Sequence, residues 1–147
     1  DYAGTTYEDP PYRFEAGTPH IAGAIGLSAA LAYVESVGYA FMEEQEATLL
    51  DACVRAMGRI DGLRRIGSPE KSVAVFSFAI EGVHPHDLST FLDKDGVAVR
   101  AGHHCTQPLM ARFGLTATTR ASFAFYNTVE EAEHLAESVE RALTILR

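Results

Sequence analysis

Val97-Ala98-Val99-Arg100-Ala101-Gly102-His103-His104-Cys105-Thr106-Gln107-Pro108-Leu109-Met110 runs from a short apolar strand through a glycine turn into a His-His-Cys loop and a proline-started helix. The strand delivers the loop, and the loop presents a thiol beside two imidazoles, with the Arg100 guanidinium five residues back. Thiolate is the reactive form of cysteine, and nearby positive charge lowers its pKa from roughly 8.5 toward neutrality. Cys105 therefore reads as a reactive cysteine on an exposed, glycine-flanked loop. Cys53 reads the other way, because it lies in an apolar-periodic helix, the setting of a small buried hydrophobe.

Working outward, Ser72–Ile80 reads as a strand through Val73, Val75, Phe76, Phe78 and Ile80. His86–Lys94 reads as a helix with Leu88, Phe91 and Leu92 inward, and Asp95-Gly96 turns the chain into the Cys105 strand. His84 and His86 have metal-like spacing but no matching carboxylate or cysteine, so a capping role is expected. Downstream, Pro108–Phe113 is a short helix with proline in the first turn. Thr119–Phe125 then alternates as a strand. Thr128 and Glu131 form a capping box that opens a helix to about Leu146.

Toward the N-terminus, Leu63–Ile66 reads as a short strand and Tyr39–Ile60 as a long helix. Its apolar face is Phe41, Leu49, Leu50, Val54 and Met57. Glu43, Glu44 and Glu46 near its start are a solvated face favoured by the helix dipole. Ile21–Val37 is a further helix, with Ile25, Leu31 and Val34 at helical spacing and Gly38 at its end. Residues 1–20 read as an extended arm and 21–147 as one domain. The sum is an α+β fold, an antiparallel sheet of at least three strands covered by helices on one face.

With 147 residues, 47% of them hydrophobic, the chain can bury a core. The net charge of −8 and the absence of a Lys/Arg cluster argue against a nucleic-acid partner. No apolar run is long enough to span a membrane, and no secretory signal is seen. Two cysteines in unlike settings do not form a disulfide framework, so a cytoplasmic location is expected. A metal site at His103, His104 and Cys105 lacks an evident fourth ligand. Arg120 interrupts an otherwise apolar strand, either as an ion-pair partner or as a fork for a carboxylate ligand; Arg100 carries the same two readings.

Four segments carry a resemblance: Arg13-Phe14-Glu15-Ala16-Gly17-Thr18-Pro19, Arg100-Ala101-Gly102-His103-His104-Cys105, Arg120-Ala121-Ser122 and Tyr126-Asn127-Thr128. In that order they resemble the C-terminal part of the SufS-type, group II cysteine desulfurases of the class V aminotransferase family, from about residue 5 to the C-terminus. The resemblance implies the small C-terminal domain of a fold-type I pyridoxal-phosphate enzyme, preceded by an arm from the end of the large domain. It implies that L-cysteine is converted to L-alanine with a persulfide left on Cys105, for iron–sulfur cluster assembly. Arg120 then matches the arginine that holds the substrate carboxylate, and Arg100 and His103 match substrate-side residues near the loop. Thr18 matches a threonine that reaches the cofactor phosphate of the neighbouring subunit in a homodimer. The implied partners are L-cysteine and a sulfur-acceptor protein.

Two departures accompany the match. His20 stands where the family pattern has asparagine. The family's cofactor lysine lies in a Ser-His-Lys-type motif of the large domain, and Lys71 and Lys94, the only two lysines, match neither that motif nor its position. The chain thus resembles the final third of such an enzyme, and alone it is expected to be inactive. The competing expectation is a non-catalytic persulfide carrier or partner-binding module.

Overall fold

The computed structural model describes residues 3–147. It contains two compact units, one reaching Tyr39 and one comprising Ala40–Arg147. The sequence reading put the boundary after residue 20; the structure groups the helix α1, Ile21–Val37, with the arm instead. None of the residues of α1 is buried, and Ile25, Leu27 and Leu31 are all more than half exposed. Of the expected apolar positions, Ile25 and Leu31 are exposed and Val34 is half-buried. At the start of α1 the His20 ring packs where a side chain on Gly23 would have to stand.

The second unit is built from α2 (Tyr39–Met57), β1 (Leu63–Arg65), β2 (Val75–Ile80), α3 (Pro85–Lys94), β3 (Arg100–Gly102), α4 (Gln107–Phe113), β4 (Thr118–Ser122) and α5 (Val129–Leu146). The strands form one antiparallel sheet in the order β1-β2-β4-β3. Side chains alternate across a strand, so β2 turns Phe76, Phe78 and Ile80 to one face and Val75, Ser77 and Ala79 to the other. The first face meets Leu50, Cys53 and Met57 of α2, Leu88 and Leu92 of α3, and Leu135 and Val139 of α5. Leu49, Cys53, Met57, Phe78, Leu92 and Val139 lose all exposure there. Burying side chains of this size contributes roughly 1.5–3 kcal/mol each before the entropy cost, so this layer holds the unit together.

The strands are shorter than their apolar runs. Val73 lies outside β2 and is 67% exposed. Val97–Val99 precede β3, which pairs only from Arg100. β4 ends at Ser122 because the Asn127 side chain accepts from Ala124 N–H at 2.9 Å, while Asn127 N–H donates to the Ala124 carbonyl at 2.9 Å. Those two bonds turn the chain before Phe125 can extend the ladder. The capping box then starts α5: Glu131 N–H donates to Thr128 Oγ1 at 3.3 Å, and Thr128 N–H donates to the Glu131 carboxylate at 3.0 Å. At the start of α3, His84 Nδ1 accepts from His86 N–H at 3.3 Å, which is a capping role for this histidine. α2 ends at Met57, short of Ile60, and Phe41 is 54% exposed rather than part of its buried face. The three glutamates begin after its first turn, which holds no acid.

Candidate functional site on the open face of the sheet

Arg100 and Arg120 sit directly opposite each other on β3 and β4, and Ser77 on β2 is opposite Arg120 on its other side. Cross-strand partners project to the same face, here the one opposite the Phe76–Phe78 core. Two arginines thus occupy paired positions on one face of the sheet. The Nε of Arg120 is buried and has no hydrogen-bond partner. An unpaired buried donor costs on the order of 1–3 kcal/mol, so this atom is set to receive an acceptor.

The loop that carries the thiol leaves β3 beyond the Gly102–Thr118 pair, two residues past Arg100. His103 accepts at its carbonyl from Thr106 N–H at 2.9 Å and Thr106 Oγ1–H at 2.8 Å, closing a tight turn. Inside that turn His104 and Cys105 both have left-handed backbone, with φ of 52° and 62°. This conformation costs roughly 1–2 kcal/mol per non-glycine residue and turns up at sites where geometry matters more than stability. Cys105 is exposed. Cys53 is fully buried, and burial pushes its thiol up to about 12.

His104 differs from its neighbour. Its Nε2 lies 3.2 Å from the Thr118 carbonyl on β4, and its Nδ1 is buried without a partner. Burial of the ring holds its pKa below the usual histidine range. The charges of Arg120, Arg100 and His103 act in the same direction, and the Thr118 carbonyl opposes them. Burial and the neighbouring cations thus disfavour a charged His104 ring. His103 is exposed on the loop. The sequence names His104 only as a member of the His-His-Cys run; its contact with Thr118, fourteen residues away, exists because β3 and β4 pair.

Thr18 is exposed in the bend before α1, in the other unit. Lys94 stands over the Phe91 ring at 5.1 Å, and Lys71 lines a groove along α2, so neither is on the strands or loop that carry Cys105, Arg100 and Arg120. Among the described residues no cluster of His, Cys, Asp and Glu could hold a metal ion.

A family model described as Aminotransferase class-V matches residues 1–135. The chain belongs to the class V aminotransferase family. Among its class V relatives, a protein named Probable cysteine desulfurase from Xylella fastidiosa is 49% identical over 145 residues, which are 99% of this chain and 35% of that protein. Probable cysteine desulfurase 2 of Mycobacterium leprae is 51% identical over 141 residues, 95% of this chain and 34% of that protein. The solved structure of the cysteine desulfurase CsdA from Escherichia coli, in an S-sulfonic acid form, superposes over the whole chain with a TM-score of 0.88 at 38% identity, covering 36% of that structure. The apo cysteine desulfurase of Thermococcus onnurineus superposes over 98% of the chain and 36% of its own, with a TM-score of 0.86 at 38% identity. The chain thus spans about a third of the length of the relatives it matches. The small α+β unit with its antiparallel sheet is the fold of these class V enzymes.

Proposed function

We propose that this chain is the sulfur-accepting C-terminal part of a SufS-type cysteine desulfurase. The observation that carries the reading is an exposed thiol on a left-handed loop that follows β3, the strand paired with the β4 strand of an arginine whose buried Nε has no partner. Arg120 takes the carboxylate of L-cysteine, a planar anion that a guanidinium binds through two parallel N–H bonds. Arg100, exposed and directly opposite, adds positive charge to the same anion, and His103 flanks it from the loop. Cys105 thiolate attacks the substrate sulfur. The new S–S bond forms as the substrate C–S bond breaks, the carbon keeps the electron pair, and a proton completes L-alanine. L-cysteine and enzyme thiol thus become L-alanine and enzyme persulfide, with no outside oxidant.

The donors present fit a pyridoxal phosphate enzyme: an exposed hydroxyl at Thr18 for the phosphate of the neighbouring subunit's cofactor, and, separately, an unpaired guanidinium nitrogen at Arg120 for the substrate's carboxylate. When bound, this cofactor supplies an electron sink for the carbon that loses sulfur. The lysine that holds it in the family has no counterpart among Lys71 and Lys94, so the chain by itself forms no alanine. The same reading carries a cytoplasmic homodimer that hands sulfur to an acceptor protein for iron–sulfur cluster assembly.

The test is alanine release from L-cysteine by the chain alone and by the chain joined to a class V large domain. Turnover only in the longer protein, abolished by Arg120→Met at substrate concentrations that saturate the parent, supports the reading. A longer protein that binds pyridoxal phosphate yet forms no alanine overturns it in favour of a persulfide carrier.

A further inference from the structure

We propose that His104 is a positioning residue: its ring ties the Cys105 loop to β4, the strand that carries Arg120, and so fixes where the thiol stands relative to the substrate's clamp. The inference rests on the roles given to Cys105 and Arg120 above. A carbonyl oxygen only accepts, so the contact to Thr118 at 3.2 Å requires the proton on Nε2 and leaves Nδ1 a bare lone pair. Thr118 is two residues before Arg120 on the same strand and is itself 1% exposed, so the anchor point is as rigid as the sheet. The ring thus closes a bridge from the loop tip across to β4. The two bonds from Thr106 to the His103 carbonyl close the turn on itself and fasten it to neither strand. Two consecutive non-glycine residues in the left-handed region persist only where the surroundings over-determine them. The His104 bridge is that determinant.

The surroundings of Nδ1 favour the neutral form of this anchor. A second proton would go on Nδ1, which is buried without an acceptor and faces Arg120 from β4, Arg100 from β3 and His103 from the loop. The two guanidinium groups cannot accept it, because each has donors only.

The test uses the full chain labelled with ¹⁵N. Long-range ¹H–¹⁵N correlation of the His104 ring is expected to show the Nε2–H neutral tautomer at neutral pH; an Nδ1–H tautomer overturns the proposal without any variant being made. In His104→Gln the amide nitrogen still reaches the Thr118 carbonyl, whereas His104→Ala leaves it empty. Backbone shifts of Cys105 should keep their left-handed signature in His104→Gln and lose it in His104→Ala; a retained signature in His104→Ala overturns the proposal. In the longer enzyme, His104→Ala should lower kcat about 10²-fold, the scale of a misplacement near 1 Å, with KM for L-cysteine unchanged and His104→Gln restoring most of the rate. A raised KM with unchanged kcat also overturns it. The ring and backbone measurements need no turnover, so a failed desulfurase reading and a failed anchor are told apart.

Discussion

Arg120→Met should make this chain more stable while removing its capacity to bind a carboxylate. The native arginine is held at two costs. Its buried Nε lacks an acceptor, a penalty of about 1–3 kcal/mol. Its charge lies directly across the ladder from Arg100, and like charges so placed destabilise by roughly 0.2–1 kcal/mol. Methionine keeps most of the apolar stem that packs on the sheet, so little contact area is lost. The net expectation is a gain of about 1–2 kcal/mol, or roughly 5–10 °C in Tm at the scale of a domain of about 100 residues. Urea denaturation of both proteins, followed by far-UV circular dichroism, measures the difference as a rise in midpoint at constant slope. In the longer enzyme the same change should lower kcat/KM for L-cysteine by roughly 10²-fold or more, the cost of truncating one partner of a charge-assisted pair. An Arg120→Met chain that is less stable than the parent would refute the reasoning. Arg120 would then be an ordinary structural ion-pair partner rather than a ligand fork kept unpaired at the expense of stability.

Other outcomes follow from the same geometry. Native iodoacetamide treatment should alkylate Cys105 once and leave Cys53 untouched, because Cys53 is fully buried with its thiol pushed up to about 12; intact mass showing two adducts before unfolding would contradict this. Asp95 accepts from Arg141 Nε at 3.1 Å and Nη2 at 2.9 Å, and those bonds hold its carboxyl below the usual range. Its stabilising contribution is therefore present above the unfolded carboxyl pKa and lost as pH falls through the lower folded value. Asp95→Asn should unfold more easily than the parent at neutral pH, with the two curves converging in acid; parallel curves at all pH would sink the pairing. α1 is apolar on nearly all sides and Ile21, Ile25, Leu27, Leu31 and Tyr33 are more than half exposed, so the isolated chain should self-associate. Sedimentation giving a single monomer species across concentrations would count against it.

Where periodicity and capping act locally, the sequence was legible. Ile21–Val37 is found at the bounds its spacing and Gly38 indicate, and Thr128–Glu131 opens α5 through the expected reciprocal bonds. Strand ends were less so. Val73, Val97 and Phe125 look like strand residues by composition, yet pairing stops short of them, because side-chain bonds such as that of Asn127 and the register of the partner strand decide where a ladder ends. At the site, Cys105 and the two arginines could be named from residue type and resemblance. That Arg100 faces Arg120, and that the His104 ring reaches Thr118, depends on β4 lying between β2 and β3. No local pattern encodes that order. The burial of the His104 ring, which disfavours its charged form, is likewise a property of the fold and not of the loop sequence.

The most direct test of the account is the mass of the Cys105 peptide from the longer class V protein after one round of reaction with L-cysteine, alongside the alanine released. One sulfur atom added on Cys105 per alanine formed, and no adduct in Cys105→Ser, is the predicted result. Alanine formed at the parental rate by Cys105→Ser, or sulfur found on another residue, would contradict it.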